Sequence, residues 1–190
     1  MRKNKKVMLI ILMTLVIFMS GVNWMYPFSP FSIKKSFSYL ADPLVVEQYR
    51  SEVDDFKKVY GSSDNGGEKI DLTMDRVKYI LEQYEQIWIM SEEPTKVSQD
   101  SLDSILFELK EVRKLTIELT YEESYNENTK DFLRMMLEKN IALEEEVHVL
   151  KDSTFHSYIT LSRQMGNLHM GFIQSFGLFT SFYEEYSKAM

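Results

Sequence analysis

The chain has 190 residues, 44% hydrophobic and 13% aromatic, which is enough for one packed domain plus a short targeting segment and excludes a disordered chain. It contains no cysteine, so disulfides, thiol catalysis, zinc–thiolate sites and a lipidated cysteine anchor are excluded. Net charge is −7, but the first 26 residues hold four basic and no acidic side chains; the remaining 18 basic and 29 acidic residues leave 27–190 at −11, a body that repels nucleic acid.

The N-terminus carries the strongest signal. Residues 1–6, "MRKNKK", form a basic tail, and the apolar run over 7–22 is interrupted only by Thr14, Ser20 and Gly21; "NWMY" then supplies Trp24 and Tyr26. Those two aromatics suit a membrane–water interface. From 7 to 26 is twenty residues, roughly 30 Å at ~1.5 Å per residue, one hydrocarbon thickness. The basic tail precedes this span while Lys34 and Lys35 follow at a distance, so the charge bias predicts a single-pass signal-anchor in the cell membrane with the N-terminus cytoplasmic and the body outside. The alternative is a cleaved signal peptide and a secreted body. A cut needs small residues at the positions one and three before it, and the pairs Ser20/Val22 and Met19/Gly21 supply neither pattern well.

Residues 27–41 open with "PFSPFSIKKSF", two prolines and three serines, which predicts an extended linker. Asp42 then caps and Pro43 starts a first helix over 43–60, with Val46, Tyr49, Val53, Phe56 and Tyr60 on one face and Gly61 at its end. "GSSDNGGEK" reads as a loop. A second helix, capped by Asp71, carries Met74, Val77, Leu81, Tyr84 and Trp88 and stops before Pro94. A third starts at Ser98, with Leu102, Ile105, Leu109, Val112 and Leu119 in phase. After "YNENTK", where Asn128 and Asp131 resemble a capping pair, a fourth places Phe132, Met136, Leu143, Val147 and Leu150 inward. "KDST" breaks it from a fifth helix that runs to near the end. No run alternates with period two over a useful length, so strands are not expected. The fold class is therefore all-α: an N-terminal transmembrane helix, then an extracytoplasmic up-and-down bundle of four to five helices over 42–190.

The fifth helix raises a second membrane question, because residues 164–183 carry no formal charge. Its seven Leu, Ile and Phe residues gain about −0.3 to −0.6 kcal/mol each on insertion, which seven polar side chains and three glycines cancel. Phe155, Tyr158, Ser162, Met165, His169, Phe172, Phe176, Phe179, Tyr183 and Tyr186 follow one another at alternating steps of three and four. That is the heptad seam of a helix packed as in a coiled coil, and a lipid-facing helix does not need one. Ile159, Leu168, Ile173, Leu178 and Phe182 add apolar cover on another side.

No catalytic motif survives inspection. "SIKK" (32–35) and "SDN" (63–65) match two motifs of serine penicillin-binding enzymes, but the third, K-T-G, is missing; Lys35 reads as a juxtamembrane charge and Asp64 as a turn residue. Glu145 and His148 make one E-x-x-H pair where a di-metal bundle needs two, and His156 and His169 have none. In "DNGGEKIDLTMD" Lys69 stands where a calcium loop needs glycine and Gly66 where it needs a ligand. The adjacent acids Asp54–Asp55, Glu92–Glu93, Glu122–Glu123 and Glu184–Glu185 do not share a helix face and read as solvated surface, and the twelve methionines as core filler. The expectation is a protein without enzymatic activity, metal or cofactor: an interaction module (scaffold, sensor or adaptor) of a bacterial envelope, with a protein partner or self-association through the C-terminal helix. The alternative is a small-molecule binder, anchored or secreted, with an aromatic pocket near the C-terminus. Trp24 and Tyr26 are the expected membrane-interface residues; Phe172, Phe176, Phe179, Tyr183 and Tyr186 are the expected partner or ligand surface.

Overall fold

A computed structural model of the chain describes residues 2–63, 72–122 and 125–189. It is mostly helical, at 81%, with seven helices among the described residues. These are α1 (Arg2–Met25), α2 (Pro43–Ser63), α3 (Leu72–Glu82), α4 (Ile87–Met90), α5 (Gln99–Glu122), α6 (Glu127–Asp152) and α7 (Tyr158–Ala189), with strands β1 (Ser36–Tyr39) and β2 (Thr95–Ser98). The expected Asp71 cap and most of the "GSSDNGGEK" and "DNGGEKIDLTMD" segments lie outside the described residues.

Beyond its basic first residues, helix α1 is apolar on every side. Its stretch Lys5–Met25, 21 residues, is long and apolar enough to cross a membrane, and none of its apolar window is covered by the rest of the chain. A helix this hydrophobic all round, left bare in water, needs lipid or a partner around it.

The stretch after it is folded, contrary to the expected extended linker. The Oδ1 of Asn23, in the last turn of α1, accepts hydrogen bonds from Ser32 Oγ (2.9 Å), Ile33 N (2.8 Å) and Lys34 N (3.3 Å). Lys35 takes the left-handed conformation, φ 46°, to close the turn, and its Nζ donates to the carbonyl of Ser29. Phe28 is buried edge-on to Phe37, centroids 5.6 Å apart.

Two strands form where none was expected. β1 pairs antiparallel with β2 in the register Ser36↔Ser98, Phe37↔Val97, Ser38↔Lys96, Tyr39↔Thr95. Phe37, Tyr39 and Val97 face the core while Ser38 and Lys96 face out. The alternation lasts only four residues in each strand, too short to stand out against helical periodicities, and tertiary pairing completes it.

Asp42 caps α2 as expected, its Oδ1 accepting from Leu44 N (3.0 Å). The second expected helix is broken: α3 ends at Glu82, a 3₁₀ turn covers Gln83–Glu85, Gln86 is extended (φ −60°, ψ 140°), and α4 follows. Ser98, last residue of β2, starts α5 as expected by accepting from Ser101 N (3.3 Å). The cap of α6 is Asn126, which accepts from Thr129 N (2.8 Å), two residues before the expected pair Asn128/Asp131.

The long helices pack in sequence order. Asn140 Nδ2 donates to Leu109 O (2.6 Å), Arg113 pairs with Glu144 (2.7 Å) and Lys151 with Asp103, so α5 and α6 run antiparallel. Lys139 Nζ donates to Gln174 Oε1 (3.0 Å) and Gln164 meets the loop after α6, so α6 and α7 do too. On the other flank α7 meets an aromatic wall from α2, the 3₁₀ turn and α4, with Tyr49–Phe176 at 5.4 Å, Phe56–Phe179 at 5.0 Å, Tyr84–Phe176 at 5.3 Å and Trp88–Phe172 at 5.1 Å.

Helix α7 is therefore the centre of the core. Met165, His169, Phe172, Phe176, Phe179, Tyr183 and Tyr186 are buried along the expected seam, and Leu168 and Phe182 are buried beside it. The seam does not extend to its first positions: Phe155, in the loop before α7, is exposed, as are Tyr158 and Ile159. They lie beyond the end of the layer that covers the rest of the helix.

Candidate functional site

The residues expected to form a C-terminal partner or ligand surface are interior. Phe172, Phe176, Phe179, Tyr183 and Tyr186 are all buried, and their ring edges are occupied by one another and by Tyr49, Phe56, Tyr84 and Trp88. The same heptad phase that marks aromatic residues as a seam also marks them as core, and with partners on two sides none of these rings is left over. Of the two expected interface residues, Trp24 is exposed at the end of α1 and Tyr26 is half-buried in the turn that follows. Glu145 and His148 point outward on α6; His156 meets Gln164 Oε1 through Nδ1 (3.2 Å). His169 is buried, its Nε2 donating to the carbonyl of Ile89 (3.0 Å), and burial holds its pKa below the ordinary histidine value. Among the described residues no three acidic or histidine side chains converge as a metal site.

An open concave surface lies along α3, the chain break and α5. Helix α5 buries Leu102, Ile105, Leu106, Leu109 and Val112, but Phe107 stands 65% exposed on its opposite, charged face. On the facing elements Tyr79 of α3 is 46% exposed and Ile87, first residue of α4, 80% exposed. Apolar side chains left in water at three neighbouring points of one groove are more informative than any one of them alone.

Two hollows make up the groove. The first, about 560 Å³, lies between α3 and α5 and is lined by Arg76, Tyr79, Gln83, Phe107, Glu108 and Glu111 among others. The second, about 550 Å³, lies between α4, β2 and α5, with Ile87, Trp88, Lys96, Val97, Ile105 and Met165 in its walls. Gln86 and Glu108 belong to both. The break at Gln86 makes this shape: an unbroken helix would carry Ile87 one turn further along a straight axis, whereas the extended residue swings it out. Gln86 is itself pinned, donating to Gln83 O (3.1 Å) and accepting from Trp88 Nε1 (2.7 Å).

The first hollow is acidic. Glu82, Glu108, Glu111 and Glu118 line the first hollow against Arg76 and Lys114, and Arg76 is already engaged by Asp75 (2.7 Å) and Glu118 (3.4 Å). Partial burial, with Glu82 nearby, pushes the Glu108 carboxyl above the usual carboxylate range, while a hydrogen bond from Gln86 opposes the shift. A cationic group placed here relieves that cost. The arrangement suits an apolar surface that carries basic residues.

Sequence reasoning did not single out Tyr79, Ile87 or Phe107. The available signal is Phe107, an aromatic residue two positions after the inward Ile105 and flanked by Ser104, Glu108 and Glu111, which places it on the polar face of an amphipathic helix. Ile87 carried no such signal, because its exposure depends on the helix break. No protein-family model matches this chain, and neither a curated protein nor a solved structure matches it.

Proposed function

We propose that the protein is a single-pass membrane-anchored interaction module of the bacterial cell envelope: an extracytoplasmic, up-and-down helical bundle without catalytic activity that acts as scaffold, sensor or adaptor. The basic residues ahead of an apolar 21-residue helix support the anchor and its N-in orientation. The antiparallel pairs α5–α6 and α6–α7 support the bundle topology. The observation that carries the interaction reading is the groove along α3, α4 and α5, with Ile87 exposed in one hollow and Phe107 in the other, which is acidic. Its complement is an amphipathic helix of a partner protein with basic residues flanking its apolar face, since acidic side chains crowd the hollow that Tyr79 and Phe107 line.

Quantitative affinity capture of the intact protein, extracted from its native membranes, tests this. Phe107→Ala and Ile87→Ala are each expected to lower recovery of the specific partner at least tenfold, about 1.4 kcal/mol. Ile141→Ala, an exposed apolar position on α6, is expected to leave it unchanged. Equal recovery in all three variants refutes the groove as the docking site.

A second reading, small-molecule binding, draws on one observation. A shallow hollow of about 340 Å³ between α2 and α7 is lined by Phe56, Phe176, Tyr183, Glu52 and Asp55 among others, and the buried Tyr183 hydroxyl has no hydrogen-bond partner. A ligand seated there raises the unfolding midpoint, and further with each increase in its concentration. Loss of that shift in Tyr183→Phe would place the ligand at the hydroxyl.

A further inference from the structure

The geometry points to a second membrane contact: the turn 27–35 lies in the headgroup layer of the bilayer that α1 crosses, with Phe31 and Ile33 inserted, so that the domain is seated on the membrane surface. This rests on the anchor reading above.

The argument is one of height. From Lys5 to Asn23 is eighteen helical steps, about 27 Å at ~1.5 Å each, so with Lys5 at one boundary of a hydrocarbon layer of ~30 Å, Asn23 lies close to the other. The Oδ1 of Asn23 holds the main-chain N–H groups of Ile33 and Lys34, at 2.8 and 3.3 Å. The backbone of residue 33 therefore cannot rise into the aqueous phase; it is tied to the last turn of the span. The side chains there are Ile33 at 85% exposed, Phe31 at 61% and Trp24 at 78%. Among the described residues little covers them. Lys34 follows directly and is exposed, as suits a segment meeting phosphate groups, while the Lys35 ammonium turns back to Ser29 O.

The seating continues into the domain. Phe28 packs on Phe37 and Phe37 on Tyr158 (6.3 Å), whose hydroxyl donates to Ser38 O (3.1 Å). The turn is thus bonded to β1 and to the start of α7, where Phe155 and Ile159 are also exposed. This accounts for the first positions of the α7 seam being uncovered: they belong to the membrane-facing end.

Because the chain has no cysteine, single spin labels report one position each. The full-length protein is reconstituted into vesicles of phosphatidylethanolamine and phosphatidylglycerol with a label at Leu12→Cys, Ile33→Cys or Tyr121→Cys. Leu12 lies within the span, and Tyr121, 85% exposed, lies at the end of α5 remote from β2. Collision with oxygen, which partitions into lipid, is compared with collision with a water-soluble nickel chelate. The expected result is an oxygen-to-nickel ratio at Ile33 at least several-fold above that at Tyr121 and below that at Leu12. A ratio at Ile33 equal to that at Tyr121, with Leu12 still lipid-exposed, overturns the seating and leaves the anchor standing. A Leu12 label as water-accessible as Tyr121 overturns both.

Discussion

The hydroxyl of Tyr49 donates to the main-chain carbonyl of Tyr84 at 2.8 Å, in the core. In a continuous helix that carbonyl would accept from the amide of residue 88. Here the chain breaks immediately after it, and a side chain from α2 takes the place of the missing backbone donor. The phenol of Tyr84 in turn meets Ser175 Oγ (2.9 Å), and burial pushes its pKa up to about 12. The break that shapes the groove is thus secured from α2 on one side and from α7 on the other.

Tyr49→Phe leaves the Tyr84 carbonyl buried and unpaired. The expected cost is about 1–3 kcal/mol of stability, read as a lower urea midpoint with an unchanged slope for the full chain in detergent micelles. Because the ring remains, its packing on Phe176 is kept. An unchanged midpoint would mean that the break does not depend on this hydrogen bond.

A pH dependence follows from His169. Burial lowers its folded pKa below the ordinary value, so between the two values the unfolded chain binds more protons than the folded one. Stability from this site is complete above the unfolded pKa, near 6.5, and is lost as pH falls below it. Wild type is therefore expected to lose more stability between pH 7.5 and 5.5 than His169→Gln, whose amide can still donate to Ile89 O. Parallel losses in the two proteins would assign the acid sensitivity elsewhere.

How much of this was legible in the sequence depended on whether a feature was local. Asp42 before Pro43, the seam from Met165 to Tyr186 and the stop at "KDST" rest on neighbours within one helix, and the structure places each where the spacing does. The break at Gln86 was hidden because Tyr84 and Trp88 stay in helical phase across it, while the groups that favour the break, Tyr49 and Ser175, are 35 and 91 residues from Tyr84. The fold of residues 27–35 was hidden for the same reason: prolines and serines suggest an extended chain, and its partner Asn23 lies inside what reads as membrane anchor. The groove needed the break between α3 and α4, so of its exposed apolar residues only Phe107 could be reached from the sequence.

Retention of α1 is open to direct measurement. The Asn23 clamp, at the end of the apolar span, joins it to residues 32–34 and through them to β1. The intact mass of the protein extracted from its native membranes is expected to include residues 1–26. A mature chain beginning between positions 23 and 33 would show a secreted protein.

The uncharged stretch of α7 yields the sharpest contrast. A Cβ added at Gly171 would lie 2.7 Å from Leu143 Cδ2, a fully buried side chain on α6 with little room to move. One added at Gly177 would meet nothing within 4 Å. Alanine gains about 1 kcal/mol over glycine in a helix interior at either position, and at Gly177 that gain stands unopposed. At Gly171 the overlap costs about 1–3 kcal/mol, which outweighs it or cancels it. Gly177→Ala is expected to raise the unfolding midpoint and Gly171→Ala to lower it or leave it unchanged, in urea titrations of the full chain followed by circular dichroism. If α7 instead crossed a bilayer away from α6, the two substitutions would behave alike. Equal shifts would therefore refute the packing of residues 164–183 against α6.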